Sequence, residues 1–276
     1  FYGPIEGLFP ELSSEKTRSI EQLNTVPNAL VNSNGFAFRP GDLFITENLA
    51  ARIRDYSIGK CSQEVSDKIR LARKNNDLLV WVTIRTGSRS WLNQADGIPK
   101  IFNELSKQYS SMGIVFNGFS RGEVRSGGQK EKDESFIDAE NLVISEISKQ
   151  LSSDISVYNT VGAMMHECVA WAYKIDAYLG PWGATLTNTM IANKPGVVHA
   201  NSAVLNMPID KKWGSWEREN AKVPVYIAKD SIVEDEDFVK SNDYDTRPTL
   251  RSYSCDWAEM YEKLHGLLDS LIMADS

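Results

Sequence analysis

Two arginines, a histidine–glutamate pair and a glycine-bracketed turn carry the residue types with which proteins handle phosphorylated ligands. Arg85 closes the apolar run DLLVWVTIR, and Arg89 follows in a loop that also holds Thr86, Ser88, Ser90, Asn93 and Gln94. Guanidinium groups there can take a diphosphate bidentately, or can equally pair with neighbouring carboxylates. In DAYLGPWGATLTN, Asp176 to Asn188, Gly180 and Gly183 bracket Pro181 and Trp182, and Ala184, Thr185, Thr187 and Asn188 open a helix. The unpaired N–H groups and positive dipole end of a helix start favour a phosphate. The plainer reading is a strand–helix turn with glycines for packing and threonines as caps. Trp182 offers a stacking surface for a base or sugar, or wedges the turn. His166 and Glu167 stand near the start of MMHECVAWAYKI. The carboxylate there can accept from ribose hydroxyls or interact with its own helix N-terminus, and the imidazole can orient a phosphate or fill a half-buried face. Candidates for a general base are His166, Asp42 and Glu47.

The surrounding pattern predicts how these residues are held. DLLVWVTIR and GIVFNGF are short apolar runs of the kind buried on both faces of a sheet. ADGIPKIFNELSKQY and FIDAENLVISEISKQL carry apolar residues at helical spacing. The alternation continues through ISVYNTVG, MMHECVAWAYKI, DAYLG, GATLTNTMIAN and GVVHAN. Five strands interleaved with four helices call for a parallel sheet with right-handed crossovers, an α/β fold of Rossmann-like type with flanking helices. VPVYIA adds a further strand, SIVEDEDF reads as a solvated loop or cap, the segment 120–134 as an exposed loop, and DWAEMYEKLHGLLDSLIM as a C-terminal amphipathic helix. Residues 1–76 are broken up by glycine and proline. They form an irregular N-terminal region, with a short strand at GDLFIT and a helix at ENLAARIRDYS, before the Rossmann-like domain and C-terminal helix at 77–276. In such sheets ligands bind beyond the carboxyl ends of the strands, so the loops at 85–94, 119–125, 160–167 and 180–188 share one rim.

Composition narrows the function classes. With 42% hydrophobic and 24% charged residues a sizeable core can form, and a net charge of −7 without a basic run argues against nucleic-acid binding. Cys61, Cys168 and Cys255 show no CxxC pair and fit free thiols in a reducing, cytoplasmic setting. No apolar run approaches the roughly 20 residues that span a bilayer. Three histidines supply a metal site poorly, and no metal or cofactor is implied. GxGxxG after the first strand, GxxxxGK[ST] and GxSxG are all missing, so dinucleotide-binding, P-loop and serine-hydrolase readings lack their fingerprints. Another Rossmann-like enzyme, an epimerase or methyltransferase, would need its own cofactor loop after the first strand, and TGSRSWLNQ has one glycine.

The segment HECVAWAYKIDAYLGPWGATLTN resembles the donor-binding end of a GT-B glycosyltransferase C-terminal domain, especially the family-61-like group. There a glutamate on one helix precedes an aspartate-containing strand and a G-x-H-G-A-G-L-T-N turn. Glu167, Asp176, Gly180, Gly183, Ala184, Leu186, Thr187 and Asn188 fall in register, while Trp182 stands in place of the histidine and Thr185 in place of a glycine. The resemblance implies metal-independent transfer of a sugar from a nucleotide-sugar donor to a glycan or other acceptor. Arg85, Arg89, Trp182 and the 183–188 turn would hold the donor, and Glu167 its ribose. The alternative is a non-catalytic nucleotide- or carbohydrate-binding module of a larger protein, to which the short N-terminal region and Trp182 both point.

Overall fold

The computed structural model describes residues 8–12, 44–122, 127–208, 218–234 and 248–275. Its centre is a six-stranded, wholly parallel sheet. The strands are β1 (Leu78–Thr83), β2 (Met112–Asn117), β3 (Ser156–Asn159), β4 (Ala177–Pro181), β5 (Gly196–His199) and β6 (Val225–Tyr226). Their spatial order is β3-β2-β1-β4-β5-β6, so the chain winds outward from β1 in one direction and then returns to continue from β4 in the other. The fold is therefore α/β and doubly wound, in the Rossmann strand order, with its topological switch point between β1 and β4.

β1 shows why the sheet is buried on both faces. Leu78, Val80 and Val82 point into one apolar layer, and Leu79 and Trp81 into the other. The first layer is closed by α3 (Gln94–Ser106), α4 (Gly127–Ser148) and α8 (Trp257–Asp275), through Ile101, Phe102, Ile144, Ile147, Met260 and Leu264. The opposite layer is closed by α2 (Gln63–Asn75) and α5 (Met165–Ala172), through Ile69, Ala72, Cys168 and Trp171. α1 (Glu47–Lys60) packs outside α5, where Ala50 and Ile53 meet Val169 and the short α6 (Thr187–Ile191). One further turn, α7 (Ser202–Leu205), follows β5.

Three expectations change. The region before residue 77 contains a second helix, α2, which the spacing of Val65, Ile69 and Ala72 supports and Ser62 caps by accepting from Val65 N at 3.2 Å. The expected exposed loop at 120–134 is helical from Gly127, because α4 begins well before its apolar stripe. The start of the acidic SIVEDEDF segment is a strand, β7 (Ile232–Glu234), paired antiparallel with β8 (Tyr253–Cys255). Of the strand expected at GDLFIT, the described part is a single bridge from Ile45 to Arg218.

β8 and the turn before it strap the loop after β1. Tyr253 N donates to Ser90 O at 3.0 Å, Leu92 N to Tyr253 O at 2.7 Å, and Arg89 N to Leu250 O at 3.0 Å. Beneath the strap the Tyr253 hydroxyl lies 2.6 Å from His199 Nδ1, with both side chains buried. Burial pushes His199 down to about 3, so this imidazole is neutral throughout the physiological range. Replacing Tyr253 with Phe leaves that nitrogen unpartnered in a dry core. Urea unfolding is expected to show a loss of about 1–2 kcal/mol with an unchanged m-value.

Candidate functional site

The loops after β1 and β4 meet at the switch point, and the described contacts there centre on Arg89, Trp182 and Gly183. Arg89 sits in the left-handed region (φ 61°), held by its N–H bond to Leu250 O. Its guanidinium lies 5.5 Å from the centroid of the Trp182 ring, within cation–π range. Gly183 has φ 129°, and a Cβ there would stand 2.7 Å from Arg89 Nη1. The backbone therefore demands glycine, and a Cβ would also push the Arg89 guanidinium aside. Gly183→Ala is expected to lower stability by about 2 kcal/mol, read as a shift of the urea midpoint.

Beyond Gly183 the chain makes a 3-10 turn over Ala184–Leu186 that leads directly into α6. Leu186 N closes onto Gly183 O at 3.0 Å, whereas the N–H groups of Gly183, Ala184 and Thr185 meet no acceptor among the described residues. The threonine hydroxyls are spent locally, Thr185 on Pro181 O at 3.1 Å and Thr187 on Ala184 O at 2.7 Å. Asn188 is buried, and its Oδ1 has no partner among the described residues; neither has the indole N–H of Trp182. The turn thus offers backbone donors rather than hydroxyl groups.

Arg85 lies two residues past the end of β1, its Nε donating to Ser88 O at 2.6 Å and its carbonyl accepting from Gln94 Nε2 at 2.8 Å. Burial first, and then the charge of Arg89, push its guanidinium down to about 10. Two cations thus share this corner, and an anion placed between them would relieve both burial and repulsion.

A carboxylate that sequence reasoning missed completes the corner. Glu140, on α4, is buried, and its Oε2 accepts from Phe119 N at 2.6 Å while the N–H of Thr86 also bonds to it. It thereby ties the loop after β1 to the loop after β2. Gly118 makes the approach possible, since a Cβ at that position would run into the Glu140 carboxylate. Burial pushes Glu140 up to about 7, against the pull of the Phe119 N–H, the Arg85 charge and the Thr86 N–H. The signal was present in the sequence: Glu140 lies three residues after Ile137 and four before Ile144, on the apolar stripe of its helix.

The remaining candidates lie apart from this corner. Glu167 accepts from Met164 N at 2.9 Å, the helix-capping alternative, at the start of the helix after β3. β3 is two strands from β1, roughly 10 Å away at the usual strand spacing. His166 is buried in the first turn of the same helix. Glu47 opens α1, where its Oε2 accepts from the buried Arg218 at 2.8 Å. Asp42 lies outside the described residues. Asp176, in register with the resemblance, sits at the start of β4 on the opposite edge, where its Oδ2 accepts from Leu79 N at 2.8 Å and Arg73 at 2.6 Å.

The space among Arg89, Trp182, Asn201, Thr249 and Tyr253 is too tight to admit even a water molecule. Small-ligand sites begin at roughly 300 Å³, so a nucleotide enters only if the Arg89 side chain or the 248–252 strap gives way. Among the described residues no group of three or more His, Cys, Asp or Glu side chains could hold a metal ion, and no helix is long and apolar enough to cross a membrane.

No family model and no curated protein matches the chain. Solved structures of similar shape include a family 9 glycosyl transferase from Veillonella parvula DSM 2008, at 11% identity and TM-score 0.47, covering 78% of this chain and 53% of that one. A UDP-forming α,α-trehalose-phosphate synthase from Burkholderia xenovorans, in complex with glucose-6-phosphate, matches at 7% identity and TM-score 0.38, covering 80% and 45%. A glycosyltransferase from Rickettsia africae ESF-5 matches at 10% identity and TM-score 0.34, covering 63% and 40%. Glycosyltransferases recur among these neighbours. At such scores the likeness carries no argument about ligand or reaction, and the chain spans about half the length of these proteins or less.

Proposed function

We propose that the switch-point corner holds the diphosphate of a nucleotide-sugar, and that the protein is a glycosyltransferase of GT-B type acting on a glycan or other acceptor. The observation that supports this most is the convergence of two mutually repelling guanidinium groups with three backbone N–H groups that have no acceptor among the described residues. Phosphoryl oxygens satisfy both. As the sugar leaves, negative charge grows on the diphosphate, and donors already aimed at it stabilise that charge without a divalent metal. Trp182 would lie against the sugar or base, and Asn188 behind the turn. Glu167, with one oxygen on its own helix, would reach a ribose hydroxyl with the other.

The test is calorimetric titration with UDP, GDP, ADP, CMP and their sugars. One nucleotide should bind with at least micromolar affinity, and its sugar conjugate should release that nucleotide when acceptors are supplied. If no member of the panel binds, the reading fails. A second reading, a binding module without turnover, is favoured by the position of Glu47, whose carboxylate is paired with the buried Arg218 at the start of α1. Binding with no nucleotide release would select it.

A further inference from the structure

A second site opens at the edge where the parallel strands begin, away from the proposed diphosphate corner. It is a groove of about 500 Å³ between α1, α2 and the end of α5. Its floor is apolar: Ile69 and Ala170 are buried, Cys61 is half-buried, and Ile58 stands 44% exposed on one wall. Burial, and after it the charge of Glu167, push the Cys61 thiol up to about 11, so it belongs to that floor as a neutral group.

The rim is basic. Arg73 is committed to Asp176 and to the carbonyls of Asn76 and Asp77, and Arg70 to Asp67. Lys74 and Lys174 both line the groove, and neither makes an ion pair with any described residue. A lysine near a helix C-terminus is ordinary, because the dipole favours it. Two lysines without an ion pair among the described residues, one on the last turn of α2 and one in the turn after α5, border one apolar groove in a chain of net charge −7.

We propose that this groove binds a single-chain anionic amphiphile, with its alkyl or acyl tail along Ile58, Cys61 and Ile69 and its anionic head between Lys74 and Lys174. The apolar floor selects a tail and the two ammonium groups select an anion. The volume is that of a small-ligand site, about 300–1,000 Å³, rather than the roughly 800 Å² face a stable protein partner covers.

Cys61 reports on occupancy, because the other two cysteines are buried. The full chain is treated with N-ethylmaleimide, and alkylation of each cysteine is followed by mass spectrometry. Decyl phosphate below its micelle concentration should slow Cys61 alkylation at least tenfold, while inorganic phosphate and decyl maltoside at the same concentration should not. Lys74→Gln with Lys174→Gln should raise the half-protecting concentration roughly tenfold, and Ile58→Glu should abolish protection. Unchanged Cys61 reactivity, equal protection by decyl maltoside or by inorganic phosphate, or insensitivity to the lysine pair overturns the proposal. So does exposure of Cys168 and Cys255 by decyl phosphate, which would mean unfolding.

Discussion

In the Arg89→Ala protein, the best-binding nucleoside diphosphate is expected to bind about 100-fold more weakly than in the unaltered chain, because a charge-assisted bidentate contact carries about 1.5–3 kcal/mol. Arg89 is the decisive residue since it touches both halves of the corner, Trp182 on one side and Gly183 on the other. The opposing effect works against this result: removing a side chain from so closed a corner also makes room. If exclusion by Arg89 dominated, the alanine variant would bind more tightly, and the guanidinium would be a plug rather than a ligand for phosphate. Arg89→Lys separates the two, keeping charge and bulk but losing the planar fork. An affinity between those of Arg and Ala supports phosphate contact. Equal affinity in all three proteins would remove the corner from the binding site. Arg85 is a poorer probe, because its Nε also holds Ser88 O and its loss would disturb the loop itself.

What could be read from the sequence follows burial. β1 and β2 are uninterrupted apolar runs because parallel strands are covered on both faces, and the rim loops could be placed once the strands were known. The Gly183 turn was legible because a positive φ requires glycine. α2 was hidden by polarity: only Val65, Ile69 and Ala72 mark its buried side, and apart from the exposed Leu71 the other positions are polar or charged. The strap from residue 248 to β8 was not legible. It pairs with the loop after β1 across more than 150 residues, and no local spacing reports such a contact. Glu167 shows the opposite failure, a motif position that can be read easily and whose visible bond is to its own helix.

Glu140 makes the pH behaviour of this fold unusual, and Glu140→Gln should expose it. A carboxyl raised from 4.5 to about 7 is protonated in the folded chain where the unfolded chain is already ionised. Stability from this group is therefore fully present below about pH 4.5 and is lost as pH rises to about 7, on the order of 3 kcal/mol in all. His199 acts with the opposite sign. Its depressed pKa means that the unfolded chain takes up a proton first, so stability falls as pH drops from about 6.5 toward 3. Between about pH 4.5 and 6.5 the two slopes oppose each other and largely cancel. Glutamine mimics the protonated acid, so the variant should match the unaltered chain near pH 4.5 and exceed it by about 3 kcal/mol at pH 8, measured by urea unfolding at each pH. A difference that does not grow with pH would mean that Glu140 is ionised normally. The gain has a cost at the rim: glutamine has one acceptor oxygen where the carboxylate serves the N–H groups of both Phe119 and Thr86. The more stable variant should therefore hold the loop bearing Arg85 and Arg89 less firmly, and bind nucleotide more weakly, as expected where a destabilising group organises a site.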